Sequence, residues 1–251
     1  MKPLLRWLGL VAVAVLALQF FFVARIAAMT VMDPQSTAFQ RSEAWRVLLD
    51  NGRLPWRQQW VPYAQISDNL KRAVIASEDD GFINHDGLDW DALEKAWQRN
   101  ATAQAKAEAQ AAKKPAASTK NTPPTARPPK VVGGSTITQQ LAKNLFLSGE
   151  RTLLRKGQEF VLTLLLEALL SKERILEIYL NSVEWGEGVF GAEAAAQHYF
   201  KKPAAKLSTY EAARLAVMLP RPKYFEKLPN SSYIAGRANV IATRLNSAAL
   251  P

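Results

Sequence analysis

The chain opens on an apolar run. From Leu8 to Ala24 the only polar side chain is Gln19, and Leu4 and Leu5 extend the stretch. A membrane-crossing helix needs about 20 mostly apolar residues, so the run predicts a spanning helix. Lys2 and Arg6 precede it, and Trp7 suits the headgroup level. Because positive residues favour the cytoplasm, the short N-terminus is expected inside and the remaining chain outside. Arg25 on the far side weakens this asymmetry. The rival is a cleaved leader, which needs a small-x-small site just after the apolar core. Phe20, Phe21, Phe22, Val23 and Arg25 fill that zone instead, so residues 1–29 read as a cytoplasmic tip and an uncleaved anchor.

After the anchor the pattern turns helical. Residues 30–60 read as a juxtamembrane connector of short pieces, with Trp45, Trp56 and Trp60. From Ser67 to Ala76, Leu70, Ala73 and Val74 share one face, and Ser67 can cap it. A Leu-rich run after Arg155 predicts another helix. Its apolar part, Phe160 to Leu170, is too short to span a bilayer and suits a buried core helix. A further helix covers roughly Lys172 to Leu180. Ser208 and Glu211 form a capping box for one that stops at Pro220. No run of alternating strands stands out, so the body over 61–251 is expected to be mainly α.

One segment breaks the pattern. Residues 101–130 hold five of the chain's 14 prolines and no large apolar side chain. They cannot bury a core and read as a disordered or partly helical basic insert. The whole chain has 251 residues and a formal charge of +10, and the insert alone supplies +5. A positive surplus points to anionic partners, but its location and the anchor argue against a nucleic-acid binder. With no cysteine and only His85 and His198, a disulfide framework or a Cys-based metal site is excluded and a His-rich metal site is not expected.

Three clusters carry chemistry. The first is Glu78-Asp79-Asp80-Gly81-Phe82-Ile83-Asn84-His85-Asp86-Gly87. Adjacent carboxylates at a helix C-terminus oppose the helix dipole, and a Glu raised by burial or neighbours can act as general acid or base. A solvated acidic turn is the plainer alternative. The second runs from Gly133 and Gly134 through Ser135, Thr136, Gln139, Gln140 and Lys143 to Asn144. A helix opened by glycines and hydroxyls favours anions, and its row of donors suits sugar or phosphate; an ordinary capped helix is the alternative. The third is Arg155-Lys156-Gly157-Gln158-Glu159, with Glu167 and Lys172 to Arg174 downstream. It reads either as a surface ion pair or as a cation pair for a diphosphate. Two carboxylates flanking a sugar are what glycosyl transfer requires, and Glu78 with Glu159 would be that pair.

In this order, Glu78-Asp79-x-x-Phe82-x-x-His85-x-Gly87, the 133–144 run, Arg155-Lys156-x-x-Glu159 and the 171–181 run resemble the motifs of glycosyltransferase family 51, the peptidoglycan transglycosylases. Residues 188–200 and 211–222 look like the family's C-terminal motif. The resemblance covers the chain from about Val61 onward. It implies a lysozyme-like, mostly α domain on the outer face of the inner membrane, polymerising lipid II with inversion and release of undecaprenyl diphosphate. It implies Glu78 as the base that takes the proton from the acceptor 4-hydroxyl. Lys143, Arg155 and Lys156 would hold the diphosphate, and Glu159 would orient them. Asp79, Phe82, His85, Ser135, Thr136, Gln139, Gln140, Asn144, Lys172 and Arg174 would complete the substrate groove. No cofactor is required; a divalent cation, Mg²⁺ or Mn²⁺, is an allowed addition, although no ligand set for it stands out. Other cell-wall synthesis proteins are expected partners. The transpeptidase signatures Ser-x-x-Lys and Lys-Thr-Gly do not occur, which implies strand synthesis without crosslinking. A lytic enzyme and a non-enzymatic scaffold are the competing readings. Cleavage would need no cationic diphosphate clamp.

Overall fold

The computed structural model describes residues 2–112, 134–147, 149 and 152–251. The chain forms two compact units. Residues up to Gly87 and from Thr136 onward make one, and Leu88–Ser135 make the other.

In the first unit, α1 (Lys2–Ala28) is long and apolar enough to cross a membrane. Its last turns are not free. Phe22, Ile26 and Met29 belong to the hydrophobic core. Phe22 meets the Phe146 ring edge-on at 5.4 Å. The one polar residue of the run, Gln19, exchanges amide hydrogen bonds with Gln158. A lone amide is costly in an apolar setting, and a second amide satisfies it.

The connector is likewise built into the unit. Helix α2 (Ala38–Asn51) begins in a capping box of Thr37 and Gln40 and ends at Gly52, whose φ of +65° suits glycine. The Gln40 amide also donates to the Ser182 carbonyl at 3.3 Å. Strand β1 (Arg57–Gln58) pairs in parallel with β3 (Val189–Phe190), which pairs antiparallel with β2 (Glu184–Gly186). Gly188 makes the β1–β3 approach feasible: a Cβ there would lie 1.8 Å from the Pro55 carbonyl oxygen.

The core is helical. Helix α3 (Asp68–Glu78) starts at its Ser67 cap and packs on α9 (Thr209–Met218), which packs on α11 (Ser232–Arg244). The Ser208–Glu211 capping box and the end near Pro220 match the sequence pattern. Beside them, α5 (Ile137–Phe146) lies along α6 (Leu153–Leu169) and touches α7 (Lys172–Ser182). Leu162 and Leu166 of α6 are fully buried, each worth about 1.5–3 kcal/mol of burial. The short helices α8 (Ala192–Phe200) and α10 (Pro222–Phe225) close the side near the strands.

The second unit contains α4 (Trp90–Ala112). Asp89 accepts from the Ala92 N–H at its start. Of the insert read as disordered or partly helical, the first part is helical. Residues 101–112 continue the helix because Ala, Lys and Gln are strong helix formers. The Pro-rich remainder, 113–130, lies outside the described residues.

Candidate active site

Glu78 is the last residue of α3. Burial pushes its carboxyl above the usual range; the Asp79 charge adds to this, while the Gln140 amide and the Lys143 ammonium oppose it. The Gln140 Nε2 donates to Glu78 Oε2 at 3.0 Å. Which end of that amide faces Glu78 is set from behind: Tyr179 Oη donates to Gln140 Oε1 at 3.0 Å. Tyr179 is fully buried, and burial with the nearby Glu78 and Asp79 charges keeps it a neutral phenol. Its position in the 171–181 run looks like an ordinary core position, so the sequence gives no signal of this contact.

The charges opposite come from α5 and α6. Gln140, Lys143 and Asn144 share one face of α5 at helical spacing, while Ile137, Leu141 and Leu145 bury the other. On α6, Glu159 is 4% exposed and accepts from Arg155 Nη1 at 3.1 Å and from Lys156 Nζ. Arg155 Nε is buried and has no hydrogen-bond partner among the described residues. A buried guanidinium nitrogen without an acceptor is costly, and an incoming anion would satisfy it. Lys143 links the two carboxylates electrostatically. Desolvation lowers its ammonium, Glu159 opposes this, Arg155 and Lys156 add to it, and Glu78 opposes.

Several expected substrate contacts have other work. Asp79 is buried, with Oδ1 on His85 Nε2 at 2.8 Å and Oδ2 on the Ile137 N–H at 2.9 Å. The α5 N-terminus, read as open to an outside anion, is thus already filled by the protein's own carboxylate. His85 Nδ1 accepts from the Gly87 N–H, so the ring is held as the Nε2–H tautomer. Phe82 is fully buried, which leaves no surface for substrate. Thr136 is buried, accepts from the Gln139 N–H and donates to the Gly87 carbonyl at 2.6 Å. Gln139 Oε1 accepts from the Thr136 N–H in the same cap. Gly87, at φ +84°, lies where a Cβ would be 2.7 Å from Thr163. Lys172 Nζ is held by the His85 carbonyl and Glu167. Arg174 is elsewhere: it donates to the Met29 and Met32 carbonyls, Asp33 and Glu177 at the exit of α1. Ser135 belongs to the other compact unit. The groups brought together are Glu78, Gln140, Lys143, Asn144, Arg155, Lys156 and Glu159.

A carboxylate with raised pKa, coupled through Lys143 to the Arg155–Lys156–Glu159 cluster, suits glycosyl transfer from a donor with a charged leaving group. A family model described as Transglycosylase matches residues 49–112 and 115–246. The biosynthetic peptidoglycan transglycosylase of Burkholderia thailandensis is 53% identical over 250 residues, covering 98% of this chain and 88% of that protein. The protein of the same description from Paraburkholderia xenovorans is 50% identical, with 98% and 94% covered. The chain belongs to the transglycosylase family and is a glycosyltransferase, with an N-terminal helix long and apolar enough to cross a membrane.

Proposed function

We propose that this chain polymerises peptidoglycan glycan strands, with Glu78 as general base and Lys143, Arg155 and Lys156 as the diphosphate clamp. The acceptor is lipid II. Its sugar 4-hydroxyl loses a proton to Glu78 and attacks the anomeric carbon of the lipid-linked strand. The bond to the diphosphate breaks on the opposite face, the configuration inverts, and undecaprenyl diphosphate leaves with its charge against the clamp. Burial raises Glu78 as a base should be raised, and Gln140 keeps one of its oxygens fixed. Glu159 holds Arg155 and Lys156 in register.

The observation that carries this reading is the buried Arg155 Nε, without a hydrogen-bond partner among the described residues, beside a carboxylate already neutralised by two cations. Glycan cleavage would have no use for it. A divalent ion fits poorly at this place, because Arg155 and Lys156 take the Glu159 oxygens and Gln140 engages Glu78. We place the short N-terminus in the cytoplasm and the catalytic body outside, on the charge of Lys2 and Arg6.

The test is lipid II polymerisation by detergent-solubilised protein, wild type against Glu78→Gln. Glu78→Gln is expected to lower the rate by about 10²–10⁴-fold with the fold intact. Equal rates would remove Glu78 from the role of base.

A further inference from the structure

On the other side of α7 lies a groove that the reaction does not use. Tyr179 on one side of this helix reaches Gln140, and Asn181 on another clamps Val61 through two 2.9 Å hydrogen bonds. The segment that leads into Val61, residues 56–60, places Trp56, Gln58 and Trp60 at alternate positions, the spacing that puts side chains on one side of an extended chain. Two hollows meet along it. One, of about 390 Å³, lies between Trp56, Gln58 and Trp60 on one side and Asp33 to Gln35 on the other. The second, of about 400 Å³, shares Trp56 and Gln58 and runs on to Gln197 and His198.

The walls are rigid. Trp56 stacks on Phe190 with centroids 4.4 Å apart, and its indole N–H donates to Gln58 Oε1 at 3.3 Å. That bond leaves the Gln58 amide N–H₂ as a donor. The Arg174 guanidinium lies 5.6 Å from the Trp60 ring centre. Arg57 Nη1 is 2.5 Å from His198 Nδ1, and His198 Nε2 is 3.4 Å from Glu226, which fixes the far end. Flat aromatic surfaces beside planar amides suit a ligand with C–H faces and hydroxyl edges. A phosphate would want clustered cations and an acyl chain a continuous apolar wall. Along this groove Arg57 faces a histidine and amides, Arg174 at Trp60 is already paired with Asp33 and Glu177, and the indoles alternate with amides.

We propose that this groove is a second saccharide site that holds the finished glycan strand, outside the catalytic cleft. Trp56 and Trp60 take the apolar faces of the sugar rings, and Gln58 and Gln197 bond their hydroxyl edges. The choice of the strand as occupant rests on the polymerase reading above; the groove as a sugar site rests only on its own walls.

The test is titration of the detergent-solubilised full chain with soluble glycan fragments released from peptidoglycan by a muramidase, followed by tryptophan fluorescence and calorimetry. Glu78→Gln and wild type are expected to bind alike. Trp60→Ala and Gln58→Ala should each weaken binding at least about tenfold, equivalent to 1.4 kcal/mol, with unchanged melting temperature. Trp60→Phe should recover part of the loss. Binding unaffected by Trp60→Ala and Gln58→Ala, or no binding by the folded wild type, would overturn the proposal. So would saturation of the groove by glycerol 3-phosphate in preference to glycan, which would mark a lipid-headgroup site. Glycan binding lost in Trp60→Ala while the wild type fails to polymerise lipid II would keep the sugar site and reject the polymerase reading.

Discussion

Glu43 and Glu159 are both largely buried carboxylates, and each lies between one arginine and one lysine. Glu43 on α2 accepts from Arg46 at 3.0 Å and from Lys223, which comes from α10. Lys223 also reaches Glu184 at 3.4 Å. This cluster joins the segment after the anchor to the far end of the chain. Glu159 is held by Arg155 and Lys156, four and three residues away on the same helix. A triad confined to one helix ties nothing to anything else. Such pairs contribute only about 0.2–0.5 kcal/mol when exposed, while burying the carboxylate has a cost. The first cluster is accounted for by what it connects. The second is accounted for by the diphosphate proposed above.

Substitutions should separate the two. Arg155→Ala is expected to reduce lipid II polymerisation by about 10²–10³-fold, the scale of losing a charge-stabilising donor. Its melting temperature should stay close to wild type. A large drop in stability with modest loss of rate would erase the contrast. Lys223→Ala should do the reverse. It leaves Glu43 with Arg46 alone and takes away the lysine at Glu184, at a cost of about 2 kcal/mol in stability, and leaves the rate per folded molecule intact. Denaturant unfolding and initial rates measured on one preparation decide this.

A smaller effect is expected from Tyr179→Phe, which removes a buried hydroxyl far along the chain from Glu78. The freed Gln140 amide can turn its oxygen toward the Glu78 carboxylate and push that carboxyl further up. The acid limb of the pH–rate profile should move to higher pH, with a loss of about tenfold below neutrality and little above it. A uniform loss at every pH would make Tyr179 a packing residue only.

The finest test concerns Glu184. Burial pushes its carboxyl to about 7, while Lys223 pulls it down and Glu43 pushes it up. The native chain therefore holds this proton after the unfolded chain has released it near 4.5. Between those values the native state binds more protons, so this group's contribution to stability falls as pH rises. Glu184→Gln should flatten that fall in melting temperature between about pH 5 and 7.

The helices were readable because their signals are local: Ser67, Thr136, Ser171 and Ser208 each cap the helix that follows them. The anchor and the carboxylates Glu78 and Glu159 were equally visible, since periodicity and motif spacing need no knowledge of contacts. What stayed hidden is nonlocal. Asp79 resembles a site carboxylate until its partner 58 residues away, the Ile137 N–H, is seen. Lys172 reaches the His85 carbonyl across 87 residues, and Arg174 reaches the Met29 carbonyl across 145. Charged residues beside a catalytic motif look alike in one dimension, whether they meet a substrate or brace the backbone. Residues 101–112 show that a composition unable to form a core can still form a helix.

The buried end of α1 has one more consequence. With Phe22, Ile26 and Met29 sunk in the core and Arg174 gripping the chain at its exit, the enzyme does not hang from its anchor like a bucket on a rope. It is bolted on. With α1 placed across a bilayer, as proposed above, the body's freedom reduces to drifting in the plane of the membrane and spinning about the normal, and Glu78 is held at one altitude. Growth of a polymer then has to be accommodated by movement of the strand and its lipid, because the machine itself cannot lean.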